Sequence, residues 1–209
     1  MTVSLASQPR LLGRVLGAVP DLLTGIACVI VWISPFTFGQ DAVKTVVLMT
    51  LMEFLIVHGT GFFTGIAFSD SIPPRKRLLG MAGMLCFYGV FVAAWAYTFK
   101  AWWPVWVFAW LVIGKAMWIF INPRDRAAEK DRQIKAWAFS TAAYLVAVFM
   151  GLMLPLPELG ITSALQPQLG LSGSGEWVEH PHVAVASMAI YYFANARFKW
   201  WSSGRVEVT

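Results

Sequence analysis

Charged side chains are scarce in this 209-residue sequence, because Asp, Glu, Lys and Arg make up 13% of it and hydrophobic residues 58%. A water-soluble domain of this size does not need so much apolar material, so the composition excludes an ordinary soluble fold. Cysteine is also scarce. Cys28 and Cys86 lie in apolar segments without metal-ligand spacing, which favours packing roles for both.

The common signatures of catalytic and nucleotide sites are missing as well. The sequence contains no phosphate loop, nucleophile elbow, paired-histidine zinc helix or dinucleotide fingerprint. It also shows no internal repeat of the kind found in many transporters. Its histidines are His58, within an apolar run, and His180 and His182, outside one, which excludes a bis-histidine haem within one protomer. We therefore expect no cofactor.

Long apolar runs are what the sequence has in abundance. A helix needs about 20 apolar residues to cross a hydrocarbon layer about 30 Å thick. Several runs reach or approach that length, and short polar stretches separate them. The sequence predicts an all-α polytopic membrane protein, a bundle of six transmembrane helices with spans at 20–38, 43–68, 78–99, 102–121, 136–154 and 183–200.

The basic residues alternate between the connections. They precede the first span, lie between the second and third and between the fourth and fifth, and follow the sixth, whereas segment 155–181 contains no Lys or Arg. This alternation predicts that both termini are cytoplasmic and that 155–182 is an outer loop. The net charge of +5 is thereby explained by topology, so we expect a lipid bilayer rather than nucleic acid as the partner.

Three segments flank or connect the spans. Residues 1–19 are expected to be cytoplasmic, either as an amphipathic helix on the membrane surface or as a solvated lead-in, and 201–209 form a cytoplasmic tail. The loop 155–182 is long and poor in charge. We expect it to fold back over the outer end of the bundle.

Glu53 stands near the middle of the second span. A carboxyl group at such depth costs at least about 2.5 kcal/mol and usually has a partner or a task. At helical spacing, Thr50, Thr60 and Thr64 share its stripe. This stripe either lines an aqueous crevice or consists of threonines bonded to their own backbone.

Four tyrosines lie near the predicted depth of Glu53 when residues are counted at about 1.5 Å each. Mid-membrane phenols need internal partners or water. Either they surround the carboxyl group of Glu53 and line a pocket, or each hydroxyl bonds separately to a backbone carbonyl. The four are Tyr88, Tyr144, Tyr191 and Tyr192.

On a helix, His58 points about 140° away from Glu53. Gly61 and Gly65 lie on the same helix face as His58. The spacing of these glycines permits close helix packing, which allows a homo-oligomer through this seam. His58 is then a structural residue or a proton relay. Lys115 lies near the inner end of its span, where it snorkels to the interface or pairs within a crevice.

The outer residues Glu179, His180 and His182 directly precede or begin the sixth span. Two imidazoles and a carboxylate can bind a metal ion, although this spacing is equally suited to capping a helix near the headgroups.

Three function classes remain. The first is transport or conduction of a proton, ion or small solute, with Glu53, His58 and Lys115 as ion- or proton-binding groups. The second is a non-catalytic assembly or sensor protein in which Glu53 joins helices. The third is an intramembrane enzyme acting on a lipid-like substrate, with Glu53 or the Glu179–His182 cluster as its acid, base or ligands.

Overall fold

The computed structural model describes residues 8–120 and 126–202, which form helices and their connections without any strand. The first part of the expected N-terminal segment, residues 121–125 and most of the expected C-terminal tail lie outside the described residues. The helices are α1 (Gln8–Ile33), α2 (Ala42–Ala67), α3 (Pro74–Thr98), α4 (Trp103–Phe120), α5 (Arg126–Met153), the single turn α6 (Glu176–Glu179) and α7 (Pro181–Ser202).

Four of the described helices contain segments long and apolar enough to cross a membrane. A fifth, α4, has a shorter apolar segment, Trp103–Met117. The all-α, membrane-compatible class expected from the sequence is confirmed at this level. The four segments are Leu11–Ile33, Ala42–Ala67, Pro74–Thr98 and Ala127–Met153.

Several helix boundaries differ from the predicted ones. Instead of a separate surface segment followed by a span at residue 20, α1 is one helix that continues through Pro20. It ends at Ile33 because Pro35 disfavours helical geometry at the residue before it. The start of α5, Arg126, lies ten residues before the predicted residue 136. The apolar runs identified only the membrane-compatible parts of longer helices.

The second helix, α2, is the centre of the bundle. It contacts α3 and α4 on one side and α5 and α7 on the other, and α1 lies along α7. One apolar cluster joins the first half of α2 to α1, α5 and α7 and includes Val43, Leu48 and Met188. A second cluster joins the other half of α2 to α3 and α4 and includes Phe63, Met81 and Phe108.

The connection between α5 and α7 folds back against the bundle, as expected from its apolar content. Ile161 and Leu169 in this connection are buried in the first cluster. The Trp32 indole donates a hydrogen bond of 2.9 Å to the carbonyl of Pro157, and the Gly160 amide donates one of 3.0 Å to the carbonyl of Trp32. The connection is therefore attached to the end of α1.

Candidate functional site

Glu53 and two phenols of α7 form the central polar contact. The hydroxyl of Tyr191 donates to Glu53 Oε2 at 3.0 Å, and that of Tyr192 donates to Glu53 Oε1 at 2.8 Å. Each carboxyl oxygen thus accepts one hydroxyl. This arrangement fits an ionised carboxylate, which only accepts hydrogen bonds and has about four lone-pair positions. We call these three residues the phenol clamp.

The phenol clamp is held by polar contacts between α7 and its neighbours. The amide of Asn195 donates to the Tyr191 carbonyl at 3.1 Å and accepts a hydrogen bond of 2.7 Å from the Ser140 hydroxyl of α5. Buried polar groups of this kind need partners, and Asn195 has them on two helices. The side chain of Asn195 therefore fixes the turn of α7 from which Tyr191 projects.

An ion pair between α1 and α7 lies within electrostatic range of Glu53. Lys199 Nζ is 2.6 Å from Asp21 Oδ2, and Asp21 is mostly buried. The two charges act on Glu53 in opposite directions. The pair joins the middle of α1 to the end of α7 while adding little net charge to the site.

Two cavities meet the phenol clamp. The Glu53 cavity, of about 370 Å³, lies against α2, α4 and α7. The Lys115 cavity, of about 200 Å³, lies against α2, α4, α5 and α7. Glu53 and Tyr192 line the first cavity, Tyr191 lines the second, and Ile56 lines both. Glu53 therefore lines the first cavity and is linked to the second through Tyr191, whose hydroxyl donates to its carboxylate.

Lys115 forms the polar end of its cavity. Its ammonium donates to Gln133 Oε1 at 2.9 Å and to Thr64 Oγ1 at 3.2 Å, and Gln133 Nε2 in turn donates to Glu129 Oε1 at 2.8 Å. Thr60 lines the same cavity. Lys115 is thus hydrogen-bonded within a crevice, and the chain of contacts continues through Glu129 to the guanidinium of Arg132.

Other residues predicted for the site lie apart from Glu53. The Tyr144 hydroxyl donates to the carbonyl of Thr50 at 2.9 Å, and the Thr50 hydroxyl bonds back to the carbonyl of Val46. The Tyr88 hydroxyl is 2.8 Å from His58 Nδ1, on another side of α2. The four predicted phenols therefore divide between two arrangements: two bond Glu53, and two bond elsewhere.

The glycine face of α2 is partly filled within the chain. A methyl group on Gly61 would lie 2.8 Å from two ring atoms of Trp137, whereas one on Gly65 would meet nothing within 4 Å. The Trp137 indole donates to the Val57 carbonyl at 2.8 Å. Gly61 therefore serves the packing of α5 on α2, and Gly65 remains open.

The predicted metal ligands lie at the start of α7. The rings of His180 and His182 are 6.0 Å apart, and the Glu179 carboxylate accepts the Gly175 amide at 3.2 Å. Pro181 is the first residue of α7, as the sequence indicated. Within residues 8–120 and 126–202, no three His, Cys, Asp or Glu side chains form a group able to hold a metal ion.

Sequence reasoning missed several residues that shape the site. Asp21 is an acidic residue at the start of an apolar run, and Asn195 follows Tyr191 by one helical turn. Both positions carried a usable signal, since a polar side chain within an apolar helix usually faces the bundle interior. Trp137 and Gln133 carried none, because they lie where interface anchors are common.

No protein-family model, curated protein sequence or solved structure matches the chain.

Proposed function

We propose that this protein conducts or transports protons across a membrane and that Glu53 is the group that takes up and releases the proton. The proposal depends on one observation: the Glu53 carboxylate on the central helix lines one cavity and is joined by the Tyr191 hydroxyl to a second cavity. A membrane protein that keeps an ionisable group at such a position usually places it on an ion pathway.

The proposed topology has six spans, α1 to α5 and α7, with both termini cytoplasmic. With about 1.5 Å per residue, the 18 residues of α4 extend about 27 Å and the 22 residues of α7 about 33 Å. Both lengths match a hydrocarbon layer of about 30 Å. The basic residues at the starts of α3 and α5 then face the cytoplasm, in accord with the positive-inside rule.

The proposed step begins with proton transfer from water in one cavity to an oxygen of Glu53. A proton that binds the free lone pair of Oε1 leaves the Tyr192 hydroxyl bond in place but weakens it, because the accepting oxygen loses its negative charge. Release of the proton towards the Lys115 cavity, which Tyr191 lines, returns Glu53 to the carboxylate and restores the full strength of both phenol bonds. The phenols thereby stabilise the carboxylate state, in which each oxygen accepts a charge-assisted hydrogen bond.

Two observations favour this class over the other two. The indole of Trp137 packs against Gly61, so this part of the Gly61–Gly65 face is not free for the helix of another protein, which an assembly protein would bind there. The second carboxylate within electrostatic range of Glu53, Asp21, is paired with Lys199 and does not line the Glu53 cavity. An acid–base enzyme would need a second group facing the same substrate.

The test is proton flux in liposomes that contain the purified protein and a pH-sensitive dye, driven by a potassium diffusion potential. We expect flux above that of protein-free liposomes. Glu53→Gln is expected to reduce this flux to the protein-free leak. The expected reduction is about a hundredfold or more, the typical contribution of a positioned proton-transfer group.

Glu176→Gln is the matched control, because Glu176 is an exposed carboxyl group in the one-turn helix α6. This variant should retain the wild-type flux. Helix content and elution from a sizing column would establish that Glu53→Gln is folded. Equal flux through wild type and Glu53→Gln, or no flux above the leak in either, would overturn the proposal.

A further inference from the structure

The Glu53 cavity combines one anionic group with apolar walls. Besides Glu53 and the hydroxyl-bearing Thr45 and Tyr192, its lining consists of apolar side chains from α2 and α4: Met49, Met52, Ile56, Trp103 and Val107. From this combination we infer that the cavity binds a small organic cation with an apolar body, whose charge is recognised by Glu53.

The carboxylate has acceptor capacity left for such a ligand. The two phenols of the clamp use one position on each oxygen, and a carboxylate offers about four in all. Glu53 is also partly exposed to the cavity, whereas Tyr192 beside it is buried. A bound cation therefore meets the carboxylate without displacing either phenol.

The walls suit the remainder of the ligand. Trp103 offers an indole ring, the aromatic surface that attracts cations most strongly. Met49 and Met52 have flexible, polarisable side chains that adapt to apolar groups of different shape. The cavity volume of about 370 Å³ lies within the range of small-molecule sites, about 300 to 1,000 Å³.

The nearest lysine on α2 does not oppose a cation. Lys44 precedes the cavity residue Thr45, and its ammonium is 2.6 Å from Asp41 Oδ1. The Lys44–Asp41 ion pair therefore adds no net charge at the beginning of α2, next to the cavity. Lys115 lines the other cavity and donates to Gln133.

This inference rests on the proposed function in taking Glu53 as the working charge, but its test is a binding measurement. The probe is benzyltrimethylammonium, studied by equilibrium dialysis against the full-length protein in detergent micelles. Neopentylbenzene, in which carbon replaces the nitrogen, is the uncharged competitor. We expect saturable binding of the cation and competition by the neutral compound at least about thirtyfold weaker, since losing a buried charge partner typically costs about 2 kcal/mol or more.

Two variants test the site in independent ways. Glu53→Gln removes the charge and should weaken binding by about thirtyfold or more. Val107→Trp fills the cavity from the α4 side and leaves Glu53 unchanged, so it should abolish binding even if Glu53→Gln folds poorly. Val90→Trp is the control, because Val90 is an exposed valine of α3 outside the cavity.

The outcomes separate this inference from the proposed function. If the probe does not saturate, if the neutral compound competes equally, or if Val107→Trp binds like wild type, the organic-cation site is overturned, whatever the proton flux. If proton flux is absent while the probe binds through Glu53, the binding site stands and the proposed function fails.

Discussion

The contact between Gly61 and Trp137 leads to opposite predictions for two glycines of the same helix. Gly61→Ala would place a methyl group 2.8 Å from two atoms of the Trp137 ring. The ring cannot give way freely, because its Nε1 donates to the Val57 carbonyl at 2.8 Å. Gly65→Ala, one turn later, meets nothing within 4 Å and is the matched control.

The expected free-energy change has three parts. Overpacking costs about 1 to 3 kcal/mol, and a weakened indole hydrogen bond about 0.5 to 1.5 kcal/mol. The higher helix propensity of alanine offsets about 1 kcal/mol. Gly61→Ala should therefore lower the free energy of unfolding by about 2 kcal/mol, whereas Gly65→Ala should leave it unchanged or raise it by up to about 1 kcal/mol.

The assay is unfolding by sodium dodecyl sulfate in mixed micelles, followed by circular dichroism, with the oligomeric state measured in parallel. If Gly61 and Gly65 instead packed against a second copy of the chain, both alanine variants would lower stability and both would dissociate an oligomer. If Gly61→Ala is as stable as wild type, or if Gly65→Ala loses as much as Gly61→Ala, the assignment of Gly61 to the α2–α5 contact is refuted.

Two further predictions concern the ends of the bundle. Gly160→Ala should detach the α5–α7 connection, because the new methyl group would overlap the Ile33 carbonyl and lie 2.9 Å from Pro35. A glutamate-specific protease should then cleave the protein faster in liposomes. Gly83→Ala is the control and should be cleaved like wild type, because its methyl group meets nothing within 4 Å. Arg77→Leu should cost about 2 kcal/mol or more in the same unfolding assay, because the guanidinium donates to the Ile72 and Ala67 carbonyls at 2.8 and 3.0 Å. The exposed Arg75→Leu should cost less than about 0.5 kcal/mol, and equal losses would contradict the role given to Arg77.

The apolar runs of the sequence predicted where helices occur better than they predicted the residues at which the helices begin and end. The predicted span 43–68 agrees closely with α2, Ala42–Ala67, because that whole helix is apolar. The first ten residues of α5 were missed, because they are helical but charged. Pro20 was taken as the start of a span. It lies inside α1, where its own carbonyl accepts the Thr24 hydroxyl at 2.8 Å.

The sequence singled out the two phenols that contact Glu53, but it could not give the direction in which each side chain points. Counting residues placed four tyrosines at the height of Glu53, and this count does not depend on how each helix is rotated. Rotation decides the partner, however, and it is set by contacts between helices. Tyr88 of α3 bonds His58 because α3 lies on the opposite side of α2 from α7.

The adjacent pair Tyr191 and Tyr192 carried more information than its depth alone. Consecutive residues of a helix point about 100° apart, so two such phenols can share a partner only if it lies between their directions. Glu53 meets this condition, because each of its two oxygens accepts one hydroxyl. A carboxyl group has two acceptor atoms, whereas a backbone carbonyl has one. The two neighbouring phenols of α7 thus fit a carboxylate on the facing helix, and Glu53 is the acidic residue within the apolar run of α2.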